Sequence, residues 1–257
     1  MLKFSPANAK TQWLRKSKGV AMYLGGSRKV YSLDLPAGHS CPGAKLCQSK
    51  AVPRTDDPSR FTIRDGRYCE FRCFSASQEV QHSATRNLRW FNFDMLRSMR
   101  GKDKCRELMY ASLPLDCGVL RYHVAGDFFK LAYFQAALDL AIMRPDVLFY
   151  AYTKSLRYLL ELPKMVDSIN GVFLKNFLLT ASRGGKDDHL INLLHIREAE
   201  VVFSEKQAGR LPIDHDDSHA TTPGGSFALL IHGTQPAGSD AGKALSTLKG
   251  KGSYARK

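Results

Sequence analysis

Six cysteines are the residues best suited to chemistry, and four of them are grouped. Cys41 and Cys47 bracket SCPGAKLC, and Cys69 and Cys73 lie in YCEFRCF, giving the spacings C-x5-C and C-x3-C. Zinc ribbons usually use C-x2-C, because two residues form the tight turn that aims both thiolates at one ion. Neither spacing fits. A wider, less regular cage suits an iron–sulfur cluster, most simply a four-iron one, whose irons lie apart from one another. Zinc and unligated buried cysteine are the alternatives. Cys73 heads a predicted helix, whose dipole favours a thiolate. Three thiolates would leave one iron open to a small ligand, whereas a fourth would close the site.

A second group is the run Asp214, His215, Asp216, Asp217, Ser218, His219. On a helix, His215 and His219 would share a face and could ligate a metal beside a carboxylate such as Asp214. Pro212, Pro223, Gly224 and Gly225 argue against a long helix there. A solvated acidic loop is the plainer reading, and a loop folded over a site the sharper one. Other polar residues fall at or just after apolar runs of strand length. These are His123 and Asp127, Thr153 and Lys154, Ser182 and Arg183, Ser204 and Glu205, and His232. Lys154 could pair with a phosphate, a carboxylate or Asp127, and His123 could equally be a satisfied core histidine. Gly233 to Gly238 precedes a helix and could present backbone N–H groups to an anion.

The elements that would position these groups alternate. Residues 119–124 and 147–152 read as strands flanking a helix over 131–143, which Pro145 stops. A first strand is expected over 29–35, and later ones over 176–180, 200–203 and 227–231, with helices over 155–162, 188–195 and 241–248. A long helix is expected over 75–99, its Leu88, Phe91, Met95 and Met99 forming a core stripe. Residues 39–74 read as an irregular cysteine-rich loop, for which a bound metal would supply a reason. Such alternation predicts a parallel α/β sheet, and the even spread of polar strand ends favours an incomplete (β/α) barrel with those ends round one mouth. One α/β domain over 29–248 is expected, with a basic arm over 1–28 that docks through Trp13 and a basic tail over 249–257.

Composition narrows the partners. The 257 residues carry 38 Lys and Arg against 24 Asp and Glu, a net charge of +14. Nucleic acid is the simplest polyanionic partner, and the dense run Arg97, Arg100, Lys102, Lys104, Arg106, the N-terminal arm and the tail over 249–257 are its expected contacts. No apolar run is long enough for a membrane span, and a cytosolic location is expected. In a reducing cytosol cysteines serve metals or cores rather than disulfides.

Several strings resemble the phage "gene product 88" family: CPGAKLC, RCFSAS, HVAGDFF, FYAYTKS, DHDDSHA and LLIHGTQPAGS. The resemblance runs from about Leu35 to Leu248. It implies a phage or prophage origin, hence a host-cell cytosol. The family pattern falls on Cys41, Cys47 and Cys73, with Cys69 as a further candidate. The arrangement is more distantly similar to radical SAM proteins, with an incomplete barrel and three thiolates on a four-iron cluster whose open iron takes S-adenosylmethionine. Those proteins carry C-x3-C-x2-C, and here Ala76 stands where the third cysteine would follow Cys69 and Cys73. Two functions follow as expectations. One is a radical-SAM-like iron–sulfur enzyme acting on nucleic acid. It would use His123, Asp127, Lys154, Asp214, His215 and His219 in catalysis and Arg183, Glu205, His232 and Gly233 in cofactor binding. The other is a non-enzymatic, metal-stabilised nucleic-acid-binding protein.

Overall fold

A computed structural model describes residues 1–8 and 11–248. The chain opens with a short strand β1 (Ser5–Pro6), a 3₁₀ turn (Thr11–Lys16) and helix α1 (Lys18–Ala21), then strand β2 (Lys29–Leu33). A hairpin follows, β3 (Ser49–Pro53) and β4 (Phe61–Asp65), then helices α2 (Phe74–Gln81), α3 (Ser83–Ser98) and α4 (Gly101–Ser112). The rest is β5 (Cys117–Tyr122), α5 (Leu131–Met143), β6 (Leu148–Thr153), a 3₁₀ turn (Leu156–Leu160), β7 (Val172–Leu174) and β8 (Phe177–Ser182). Then come α6 (His189–Leu193), β9 (Glu198–Val202), α7 (Glu205–Ala208), β10 (Phe227–Leu230) and α8 (Asp240–Thr247).

The main sheet runs β1-β2-β5-β6-β8-β9-β10, with β7 paired to β8. From β2 to β10 every step along this order is parallel, whereas β1 and β7 pair antiparallel. Successive parallel strands therefore lie side by side. Among the described residues β1 and β10 do not meet, so the sheet is open and no barrel closes.

Side-chain alternation divides the sheet into two faces. Leu33, Leu120, Tyr122, Phe149, Phe177 and Leu179 pack with Phe93, Leu96, Met109, Phe134 and Leu140 of α3, α4 and α5. Val30, Val119, Leu148, Tyr150, Leu178 and Phe227 pack instead with Leu14, Val20, Leu24 and Ala220. The second face is thus covered by the N-terminal segment and by the loop before β10. The N-terminal segment is no loose arm: β1 pairs with β2, and Leu14, 1% exposed, is the anchor rather than the half-buried Trp13.

Three expectations need correction. The long helix over 75–99 is two helices, because His82 takes an extended backbone between them (φ −123°, ψ 97°). The cysteine-rich loop is not wholly irregular, since it carries the β3–β4 hairpin. The basic run 97–106 straddles the start of α4 and is largely neutralised: Arg97 pairs with Asp94, Lys102 with Asp139, Lys104 with Glu107, and Arg106 with Asp103 and Asp139. The expected tail over 249–257 lies outside the described residues. No helix among those residues is long and apolar enough to cross a membrane.

Candidate functional site

The C-terminal ends of the parallel strands open on a cavity of about 180 Å³. Its wall takes Cys41, Cys47 and Cys73 from the thiol loop, Arg121, His123 and Asp127 from β5 and beyond, and Tyr152 and Lys154 from β6. Ser182 from β8, His232 after β10, Asn8, Arg72 and Thr153 add to the polar lining, and Phe71, Phe74, Val201, Leu229 and Ile231 are among the apolar residues.

Two close approaches hold the thiol loop against the strand ends. At Gly43 a Cβ would lie 2.0 Å from the Lys154 carbonyl oxygen, so only glycine lets the loop reach β6. The Lys186 N–H donates to the Gly43 carbonyl (2.8 Å), and the Leu46 N–H to that of Gly184 (2.9 Å). Gly126, at φ +90°, sits where a Cβ would strike Leu35 and the Ser40 hydroxyl. The thiol loop is thereby fastened to the turns after β5, β6 and β8.

All six cysteines are free thiols. The Gly38 N–H donates to the Cys41 sulfur (3.3 Å). Burial pushes the Cys41 thiol well up, with Asp127, Cys73 and Cys47 adding to the rise. Cys73 is raised to about 11 by burial and then by Cys47, while the N–H of Ser75 opposes the shift. Cys47 is raised by burial, with Lys154 pulling it down. These three thiols are therefore neighbours and stay protonated near neutral pH. The Cys69 sulfur is turned to its own loop, against the Ser49 hydroxyl (3.5 Å) and the Phe71 carbonyl (3.2 Å). It lies outside the cavity wall, although it raises the Cys47 thiol and is itself raised by Cys73. Among the described residues no three His, Cys, Asp or Glu groups are arranged to hold a single metal ion. Thiols on separate irons of a cluster stand farther apart than the ligands of one ion.

The strand-end groups hold one another. Asp127 accepts from the Phe128 N–H (2.7 Å), the Thr153 hydroxyl (2.6 Å) and the Lys154 N–H (2.8 Å). Burial raises its carboxyl, and these bonds oppose the rise. The Lys154 ammonium donates to the Ser182 carbonyl (2.9 Å), the Ser182 hydroxyl (2.7 Å) and the Arg183 carbonyl (2.6 Å), so its contact with Asp127 runs through its backbone. His123 takes φ +67°, and its Nε2 meets the Tyr133 hydroxyl at 3.0 Å. Burial lowers it to about 3, so the ring is neutral, and its Nδ1 has no partner. His232 rests on the Phe74 ring, 4.7 Å between centroids.

Other expected site residues lie elsewhere. Arg183 pairs with Glu198 at 2.5 Å, outside the cavity wall, because its side chain follows β8 toward β9. Glu205 is exposed at the start of α7. Gly233 lines a separate shallow depression with residues of α8. The 214–219 run forms bends and turns, not a helix, so His215 and His219 do not share a helical face. His215 is exposed, and His219 lies 3.7 Å from the buried Asp214. The loop's main bond is one the sequence did not single out. Asp217, fully buried at φ +64°, receives Arg121 and the hydroxyls of Tyr150 (2.9 Å) and Tyr152 (3.2 Å). Arg121 keeps its buried Nε without a partner and lines the cavity. The signal was present in VLRYHV, an arginine inside an otherwise apolar strand.

No curated protein and no solved structure matches the chain. The strings spread round this cavity, from CPGAKLC to LLIHGTQPAGS, fall within the span that the gene product 88 family model covers, residues 2–248, and the protein belongs to that family.

Proposed function

We propose that Cys41, Cys47 and Cys73 hold an iron–sulfur cluster with one iron free of protein ligands, and that the protein is a radical-SAM-like enzyme acting on nucleic acid. One observation carries this reading. Three free thiols from separate turns share a cavity wall with groups from the ends of β5, β6, β8 and β10. The residues fit such a centre: the Gly38 N–H donates to the Cys41 sulfur, the kind of hydrogen bond that tunes a cluster. Cys69 is engaged away from the cavity, which supports three ligands over four. The progressive, open strand order supports an incomplete barrel. Bound on the free iron, S-adenosylmethionine would supply the reactive group. Around it, Lys154 and Asp127 fix the strand ends, Arg121 and His123 offer unpartnered nitrogens, and the apolar wall excludes water. The location that goes with this reading is the cytosol.

The test is anaerobic reconstitution with iron and sulfide, followed by S-adenosylmethionine and a reductant. The expected result is an iron–sulfur absorption band, cofactor cleavage, and loss of both in Cys41→Ala, Cys47→Ala and Cys73→Ala but not in Cys69→Ala. Zinc in place of iron, or loss of the cluster in Cys69→Ala, would favour a closed structural site and the non-enzymatic reading.

A further inference from the structure

The cysteine loop carries more than thiols. Between Cys47 and Cys69 it builds the β3–β4 hairpin, which packs against α2 and stands outside the main sheet. The hairpin register sets Lys50 directly opposite Arg64. Like charges across a strand pair destabilise it, and neither residue has an acidic partner among the described residues. Lys45, Arg60 and Arg67 are exposed and likewise lack one. The neighbouring Arg54 and Arg72 do have partners, Asp56 and Asp65, as does most of the 97–106 run. Uncompensated positive charge is thus gathered on this hairpin and its flanks.

An aromatic ring lies among these cations. Tyr68 is 58% exposed, with the Lys45 ammonium 5.7 Å and the Arg67 guanidinium 5.4 Å from its ring centre. An exposed ring costs free energy in water, and two bracketing cations do not bury it. Bases of an unpaired strand stack on such rings while lysine and arginine take the phosphates. A duplex keeps its bases stacked inside and offers the ring nothing.

We propose that the β3–β4 hairpin, with Lys45, Lys50, Arg60, Arg64, Arg67 and Tyr68, binds single-stranded nucleic acid. Lys50 and Arg64 take adjacent phosphates, which relieves their mutual repulsion, and Tyr68 stacks on a base. Lys45 precedes Cys47, and Tyr68 adjoins Cys69, so the bound strand lies beside the loop that lines the cavity. This names the substrate class for the enzyme reading above and rests on it for the purpose of binding alone.

The experiment is fluorescence anisotropy with the full chain, free of metal, against labelled oligo-dT, oligo-U and a DNA duplex over a range of salt. Cluster assembly is measured separately, so failure of one reading is distinct from failure of the other. Single strands are expected to bind more tightly than duplex, and comparison of oligo-dT with oligo-U identifies the sugar preferred. Lys50→Ala with Arg64→Ala should flatten the log–log salt slope by about 1.4. Tyr68→Ala should weaken binding about tenfold, and Tyr68→Phe should restore it. Arg97→Ala with Lys104→Ala should change little. The proposal is overturned by any of three results: no binding at low salt, equal affinity for duplex, or a Tyr68→Ala variant that melts normally and binds as the parent does.

Discussion

Asp217 shows how one side chain can organise a buried wall. Its carboxylate is fully enclosed, holds Arg121 and accepts from two tyrosines. Removing one partner of a buried pair leaves the other charged and desolvated. Asp217→Ala is therefore expected to lower stability by about 3–5 kcal/mol in urea unfolding, whereas Asp216→Ala, half-buried nearby, should cost far less. His219 gives a pH dependence of known sign. Asp214 raises its pKa above the ordinary 6.5. A raised imidazole contributes stability that is full below the unfolded value and is lost as pH rises through the folded one. The His219 contribution to the melting temperature, read as the parent minus His219→Gln, should fall by about 1–2 °C from below pH 6 to above pH 8, a small change because water screens the half-exposed ring. His123 acts in the opposite sense: burial holds the folded ring near 3 while the unfolded one still takes a proton near its ordinary value, so this residue adds stability as pH rises through that value, in the parent and in His219→Gln alike.

At the scale of elements, the thiol loop is fixed by contact with the strand ends before any metal is considered. Gly43 is its closest approach, to backbone atoms that cannot swing aside. Gly43→Ala is expected to cost about 1–3 kcal/mol and to reduce iron bound on reconstitution, measured by thermal melting and metal analysis. Gly224→Ala, where no atom lies near the added methyl, should do neither. These elements were unequally legible. The helix Leu131–Met143 was readable to the residue, because its apolar spacing is regular and Pro145 cannot continue it. The hairpin was hidden, since its strands are short and β3 carries Pro53 among small and polar residues, although Phe61 and Ile63 of β4 do alternate with Thr62 and Arg64. The break at His82 left no sign, because no Gly or Pro marks it and tertiary contacts decide it. Glu79, at the end of that first helix, bonds Arg89 on the next and the Ala37 N–H, a bend fixed by a buried ion pair.

For the whole molecule, the parallel alternation and the gathering of polar strand ends follow from local patterns, and the cavity bears out that gathering for His123, Asp127, Lys154 and His232. It does not do so for Arg183 and Glu205, because a strand end fixes the edge but not the direction of the side chain. Arg121 and Tyr152 were missed for the converse reason. They point to the face that the N-terminal segment and the last loop cover, and nothing in a strand's own residues tells what will lie over it. The net charge was legible as a total only. Its distribution depends on which cations find carboxylates, and the densest run, 97–106, proved to be the better paired.

The strand order has a consequence for synthesis. Once β2 and β5 have paired, each later parallel strand adds to the same growing edge, and none must be inserted between two already joined. A chain leaving the ribosome from its N-terminus can therefore lengthen its sheet in the order in which it is made. The cysteines at 41–73 emerge before most of that edge exists, while the wall that ends in His232 emerges only after the last parallel strand. Between those moments the thiols are uncovered and open to oxidation, waiting for the far side of their cavity.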